Sequence, residues 1–317
     1  MINFDTDGLR PHERFDHWCE VRTKGLFGVT IEMPRERRPD FYGRFSAHEF
    51  GGATVAEMQA ASYNVSRSWA DIHRLPGRSL YIAKQVRGPG TLRTGDERVH
   101  MVSNGSLVIS HSDLPTSAIP QRSDGFHFRA IKIPIGGNEW LAASTRHLFA
   151  EPLAQDNWMT RLIDTTFNAI VARRVEAPAE TAIRHLAQLA LLARGRVAPG
   201  SRESRSALRH GYLHEALRLM EQWLPRPELS PELIGRELNI SLRQLHLLFE
   251  PTGQSFSRTL LAMRLAEARR QLEAMPLRPV GEIANACGFD SIATFYRTFG
   301  RAYRMAPGDL RKSLLRH

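Results

Sequence analysis

The chain has 317 residues, 42% hydrophobic and 24% charged, with a formal net charge of +10. That length is too great for one comfortable core and predicts two domains of ordinary globular composition. Two cysteines exclude a disulfide framework, no run of 18 apolar residues offers a membrane span, and the basic balance points towards a polyanion.

The N-terminal MINFDTDGLRPHERFDHW lacks an apolar signal core, so the protein is expected to stay in the cytoplasm. Residues 13–27 set Phe15, Trp18, Val21 and Leu26 at roughly helical spacing. From Phe41 to Ile135 the pattern changes to short alternating runs: GRFSAHEF, ATVAEMQA, LYIAKQVRG, SLVISHS and FHFRAIKIPI. Gly51-Gly52, Gly88-Pro89-Gly90, Asn104-Gly105 and Asp124-Gly125 punctuate them, which predicts an antiparallel β barrel or sandwich. Helical periodicity returns after Gly137. Trp140, Leu141, Leu148, Phe149, Trp158, Leu162, Phe167 and Ile170 mark one apolar face, and Ile183, Leu186, Leu189, Leu191 and Leu192 another. Such helices either close the β-domain core or pair with a second subunit. ARGRVAPGSRESRS (193–206) is small and polar and reads as an interdomain linker. The expected division is a β-rich domain at 1–195, a linker at 196–206 and an all-helical domain at 207–317. Residues 201–317 carry 18 Lys and Arg against 12 Asp and Glu, nearly all of the positive charge being Arg. Arg suits bidentate contacts to phosphate and guanine.

Within the helical part a helix–turn–helix pattern occurs twice, at about 230–250 and 280–301. The copies are SPELIGRELNISLRQLHLLF and VGEIANACGFDSIATFYRTF. Small Gly235 and Ala284 let two helices approach where they cross. Asn239 and Gly288 are the residue types that most readily adopt the left-handed conformation ending a helix. Ile240 and Phe289 plug the corner, while Ser241, and Asp290 or Ser291, can cap the next helix. Leu245 with Phe249, and Phe295 with Phe299, lie four apart and face inward; Cys287 is expected as a small buried hydrophobe. Left outward are Arg243, Gln244, His246, Leu247 and Glu250 on a helix at 241–250, and Ile292, Ala293, Thr294, Arg297, Thr298 and Arg301 on a helix at 291–303. A helix about 10–12 Å across fits a DNA major groove about 12 Å wide. Between the copies, Phe256, Leu260, Met263 and Ala266–Leu272 describe a helix ended before Pro276 and Pro279. About 19 residues at roughly 1.5 Å each make a rod near 28 Å. That length could set two reading helices about one duplex turn, roughly 34 Å, apart.

The segment from about Leu208 to Leu315 resembles the DNA-binding domain of the arabinose-regulator (AraC/XylS) family. The resemblance rests on Ile283-Ala284, Cys287-Gly288-Phe289, Phe295, Arg297 and Phe299, followed by Pro307 and Leu310-Arg311. FEPTG (249–253) is about one residue shorter than the family's usual link. The N-terminal two-thirds is similar to the cupin-like regulatory domains attached to many members. The resemblance implies an α+β protein: a cupin-like effector-binding and dimerisation domain with flanking helices, then an all-α domain of two helix–turn–helix motifs joined by a long helix. Arg243, His246 and Leu247 occupy the first reading helix's usual base-facing positions, and Ile292, Ala293, Thr294 and Arg297 the second's. Ser241, Gln244, Ser291, Thr298, Arg301 and Arg304 are expected against the DNA backbone. Leu247 stands where many members have a polar or basic residue, so its contact is expected to be apolar, such as a thymine methyl. Ile292 and Ala293 are apolar departures that leave base readout by the second helix to Thr294 and Arg297; the resemblance equally allows a second motif that mostly grips the backbone through Arg297, Arg301 and Arg304. Also implied are a promoter site on double-stranded DNA, a small-molecule effector, RNA polymerase as partner, a homodimer, activation of transcription and residence at the nucleoid.

No effector-binding residue is named by the sequence. Tyr81, Trp69, Arg44 and His127 are eligible by type, although strand-borne aromatics are more often core. Metal catalysis in a cupin-like barrel needs clustered His and Glu, whereas His100, His111 and His127 are isolated and no His-x-His occurs. There is no nucleophile elbow, phosphate-cradling glycine loop or paired-cysteine zinc spacing. The expectation is therefore a regulator rather than an enzyme, without metal or cofactor. A β domain serving only dimerisation or contact with another protein stays open.

Overall fold

Alternation of apolar and polar residues organises the first half of the chain, and helical periodicity the second. The structure, a computed structural model, describes residues 2–25, 28–136, 139–175 and 177–314. Leu26 of the expected first helix, Gly137 at the expected return of helix, and Leu315 lie outside the described residues. Two compact units emerge, Met1–Gly211 and Tyr212–His317.

In chain order the first unit contains β1 (Ile2–Asp5), α1 (Pro11–Gly25), β2 (Thr30–Glu32), β3 (Gly43–Phe50), β4 (Ala53–Ala60), β5 (Asn64–Arg67), α2 (Trp69–Arg74), β6 (Ser79–Arg87) and β7 (Gly90–Thr94). It continues with β8 (Val99–Val102), β9 (Leu107–His111), β10 (Thr116–Pro120), β11 (Phe126–Pro134), α3 (Glu139–Thr145), β12 (Glu151–Pro152), α4 (Trp158–Val171) and α5 (Ala179–Ala193), and then enters α6 (Arg202–Gln222). The strands form a seven-stranded sheet in the order β1-β3-β4-β11-β6-β9-β12 and a five-stranded sheet in the order β2-β5-β10-β7-β8. Neighbouring strands pair antiparallel throughout, as in β3–β4 and β10–β7. The β3–β4 turn is made by Gly51 and Gly52 at φ 56° and 77°, a region L side chains rarely occupy. A Cβ on Gly51 would also lie 2.5 Å from the Ala179 backbone.

All five strands legible as alternating runs belong to the seven-stranded sheet. The other sheet escapes sequence reading because its strands are three to five residues long and largely polar, such as NVSR in β5 and GTLRT in β7. They carry too few alternations for a period of two to register. One face of the larger sheet buries Val55, Leu80, Ile82, Ile109 and Ile131 against Phe167, Ile170, Leu186 and Leu189 of α4 and α5. These two helices thus close the core. Trp158 departs from the expected apolar face and stands 47% exposed at the first position of α4. A second cluster gathers Phe15 and Trp18 of α1 with Phe41, Phe45 and Met58, and the Trp18 indole donates to the Tyr63 hydroxyl at 3.2 Å. Between the two sheets lies a cavity of about 260 Å³ lined by residues of both.

The expected linker is shorter than 196–206. Helix α6 begins at Arg202, and Ser204, whose hydroxyl donates to Ala198 O at 2.8 Å, is buried. Polar Ser, Arg and Glu at 201–206 read as a linker by composition, yet they form a capped first turn, the Ser201 hydroxyl accepting from Ser204 N at 3.0 Å.

The second unit consists of the remainder of α6, then α7 (Pro231–Glu237), α8 (Leu242–Phe249), α9 (Phe256–Ala274), α10 (Val280–Ala286), α11 (Ile292–Tyr303) and α12 (Pro307–Leu314). It has two cores. Leu213, Met220, Ile234, Leu245 and Phe249 form one, joined by Phe256 and Leu260 from the N-terminal part of α9. Leu265, Ala268 and Leu272 from the rest of α9 join Ile283, Ala284, Cys287, Phe295 and Phe299 in the other. The 19-residue α9 is therefore the shared wall of both motifs.

Candidate functional site

Each motif turns its corner by local hydrogen bonding. In the first, Leu238 N–H donates to Ile234 O at 3.0 Å and Ile240 N–H reaches back to Gly235 O at 2.9 Å. Asn239 sits between them at φ 53°. A Cβ on Gly235 would stand 3.2 Å from the Ile240 carbonyl oxygen, so the small residue serves the corner's own backbone. In the second motif Phe289 N–H donates to Ala284 O at 3.1 Å across Gly288 at φ 82°. The four expected corner residues, Gly235, Asn239, Ala284 and Gly288, all stand at these two turns.

The following helices begin with side-chain caps. The Ser241 hydroxyl accepts from Gln244 N–H at 3.2 Å while Gln244 Oε1 accepts from Ser241 N–H at 2.8 Å, a capping box. Gln244 is thus held by the helix start, with its Nε2 left as the outward donor. Ser291, not Asp290, caps α11 by accepting from Thr294 N–H at 3.3 Å.

Beyond the caps, α8 exposes Arg243 and His246 and half-buries Leu247; α11 exposes Ile292, Ala293, Arg297 and Arg301 and half-buries Ser291, Thr294 and Thr298. Arg304 is exposed at the end of α11, in the left-handed region at φ 55°. The Thr298 hydroxyl donates to Thr294 O at 2.8 Å, so its proton is taken up within its own helix rather than offered outward. Two exposed side chains escaped the sequence reading. Leu242 opens α8 at 41% exposure, and Tyr296 of α11 is 42% exposed. Tyr296 follows Ile292 and Ala293 by four and three residues, a spacing that places it on their face and could have revealed it.

Most arginines of this unit that lie away from α8 and α11 brace the fold. Arg218 pairs with Glu215 at 2.7 Å, Arg269 with Glu273 at 2.8 Å and Arg270 with Glu267 at 2.6 Å. Arg264 donates to Arg226 O at 2.6 Å, and Arg311 donates to Arg278 O. Arg243 on α8 with Arg297, Arg301 and Arg304 on and after α11 are exposed, and among the described residues none of the four has an intramolecular acceptor, which is also true of Arg236 on α7 and Arg258 on α9. Their hydrated guanidinium groups are available for an outside anion.

Of the four residues eligible by type for a pocket in the first unit, Tyr81 lines the cavity between the sheets. The others stand elsewhere. Trp69 is 57% exposed on α2, Arg44 pairs with Asp7, and His127 binds Glu57 at 2.7 Å. Strand-borne side chains point to one face or the other by register, which residue type alone does not reveal.

Residues 234–313 match the family model of a helix-turn-helix domain. The HTH-type transcriptional regulator GlxA of Rhizobium meliloti (strain 1021) is 39% identical over 114 residues, covering 36% of this chain and 35% of that protein. The chain thus aligns with about a third of that relative's length. The transcriptional activator NphR of Rhodococcus sp is 24% identical over 331 aligned positions, covering 98% of this chain and 93% of the relative. The crystal structure of the AraC-like transcriptional activator CuxR superposes with a TM-score of 0.50 at 19% identity, over 90% of this chain and all of that one. At that identity the likeness is one of fold.

Proposed function

Because the chain belongs to the AraC family of helix-turn-helix transcription regulators, we propose that it binds a promoter sequence through α8 and α11 and activates transcription in response to a small molecule. The observation that carries this reading is that every arginine on or just after the two capped helices, Arg243, Arg297, Arg301 and Arg304, stands exposed with no intramolecular acceptor among the described residues. Arg243, His246 and Leu247 meet bases in one major-groove segment, and Thr294 and Arg297 meet them in the next. Arg301 and Arg304, with Ser241, Ser291 and the Gln244 amide, grip phosphates. Tyr296 adds a hydroxyl to that group. The cavity of the first unit receives the effector, and the protein works as a homodimer in contact with RNA polymerase at the cytoplasmic chromosome. Genomic footprinting combined with transcript changes tests the proposal; a protein that protects no site in its own genome overturns it.

Two substitutions separate the contact classes. Arg243→Ala is expected to weaken binding at the preferred site by about 1–3 kcal/mol, roughly 5- to 150-fold, with little change on random DNA. Titration of both DNAs by fluorescence anisotropy checks it, and an equal loss on both would move Arg243 to the phosphate group. Arg301→Ala is expected to weaken both DNAs alike and reduce the slope of log K against log salt by about one. Titration across a salt series reads that slope directly.

A further inference from the structure

The proposed effector site has a chemical bias of its own. Three basic residues line the cavity, Arg22, Arg67 and Lys132, and no Asp or Glu does so among the described residues. The three are not equivalent. The Arg67 guanidinium is part of the scaffold: it donates to Ser112 O at 2.8 Å, Gly28 O at 2.6 Å and Leu75 O at 2.8 Å, and pairs with Asp113 at 3.1 Å. Arg22 donates from Nη1 to the thioether of Met58 at 2.6 Å, a weak acceptor for a cation. The Lys132 ammonium makes no hydrogen bond and no ion pair among the described residues. The nearby Asp113 carboxylate is already committed, accepting from Gly77 N, Arg78 N, Arg67 and Ser112.

Register then builds a site around Lys132. Ile131 and Ile133 point into the helix-covered core, so alternation turns Lys132 to the cavity face. Lys132 pairs across to Tyr81 of β6, and Tyr81 pairs across to Ser110 of β9. All three line the cavity, so an ammonium, a phenol and a hydroxyl stand in one row across three strands. Burial pushes the Tyr81 hydroxyl up to about 12, so it keeps its proton and can donate. His111, also lining the cavity, accepts from Asp113 N–H at Nδ1, which leaves Nε2–H as a further donor. The next row of the sheet is apolar, with Ala83 opposite Val108, and Phe128, Phe126, Val65 and Leu92 extend that lining. Phe126 and Phe128 stack with ring centroids 6.0 Å apart.

We propose that this cavity binds a compact organic carboxylate, its anion held by Lys132 with Tyr81 and Ser110, and its apolar body packed against Phe126, Phe128 and Val108. The assignment rests on the effector reading above and gives it a ligand class. Burial lowers the Lys132 pKa, so the empty site holds its charge at a cost that an entering carboxylate offsets. A polyhydroxylated ligand would leave hydroxyls unpaired against Val65, Leu92 and Val108. A cavity of about 150 Å³ accommodates benzene, so 260 Å³ takes one ring with a short acidic arm.

The full-length protein is to be titrated, by thermal shift and calorimetry, with phenylacetate, benzoate and cyclohexanecarboxylate and with the matched neutral amides. At least one acid should raise the melting temperature and bind at least tenfold more tightly than its amide. In Lys132→Met that acid should lose at least tenfold in affinity while the variant melts no lower than wild type by circular dichroism. Acid and amide binding wild type equally overturns the proposal, as does a folded Lys132→Met variant that binds the acid unchanged. An amide that binds where no acid does leaves the effector reading standing and refutes the carboxylate. Failure of every acid and amide to bind counts against both.

Discussion

Replacing Gly288 with valine is expected to destabilise the second unit by roughly 4 kcal/mol, the sum of two separate penalties. Gly288 sits at φ 82°, where a β-branched residue is strained by about 1–3 kcal/mol. A Cβ there would also stand 2.4 Å from Leu224 O and 2.8 Å from Arg264 Nε. Relieving that clash displaces the Arg264 guanidinium from its bonds to Leu224 O and Arg226 O, adding about 1–3 kcal/mol of overpacking cost. For a unit of this size the melting temperature should fall by about 15 °C or more. Differential scanning calorimetry of the full chain checks it, with Gly288→Asn as the companion. Asn tolerates the left-handed region but still carries a Cβ, so it removes the first penalty and keeps the second. An unchanged transition in the valine variant would mean that the corner is not closed in this way.

Asp113→Ala is expected to cost the first unit about 3–5 kcal/mol, because removing one partner of a buried pair leaves the other charge uncompensated. The side chains of Arg67 and Asp113 are 9% and 15% exposed. The same carboxylate accepts from Gly77 N at 2.6 Å and Arg78 N at 2.9 Å, holding Arg78 at φ 42°. Burial by itself would raise the Asp113 pKa; the Arg78 and Gly77 N–H groups and the Arg67 guanidinium outweigh it and hold the acid below its ordinary value. A depressed folded-state pKa means stability that is complete above the unfolded value of about 3.9 and lost as pH falls towards the lower folded value. Wild type should therefore lose stability on acidification below about pH 4 more steeply than Asp113→Ala. Urea unfolding at pH 7 and across the acid range measures both effects. The double variant Arg67→Met with Asp113→Ala should be less destabilised than the sum of the single variants.

The corners of both motifs were legible because their causes lie within a few residues of one another. Asn239 and Gly288 take positive φ, Ser241 and Ser291 cap the next helix, and Phe295 and Phe299 turn inward, all at spacings the chain itself imposes. The five longest alternating runs were readable as strands for the same reason. Where the Thr298 hydroxyl proton goes was not legible, because an outward position on a helical wheel does not say whether a hydroxyl has already found an acceptor in its own backbone.

By itself the sequence determined that there would be two paired helical corners on a shared helix and an antiparallel β domain before them, since propensity, capping and periodicity act over short distances. Tertiary structure alone decided the second sheet, whose short strands form only against partners such as β5 with β2 and β10. It also decided which arginines are braced and which stand open, and it brought Lys132, Tyr81 and Ser110 into one row from strands far apart in the chain. Those outcomes depend on register and on where opposite charges meet in space, and neither is encoded within any single segment.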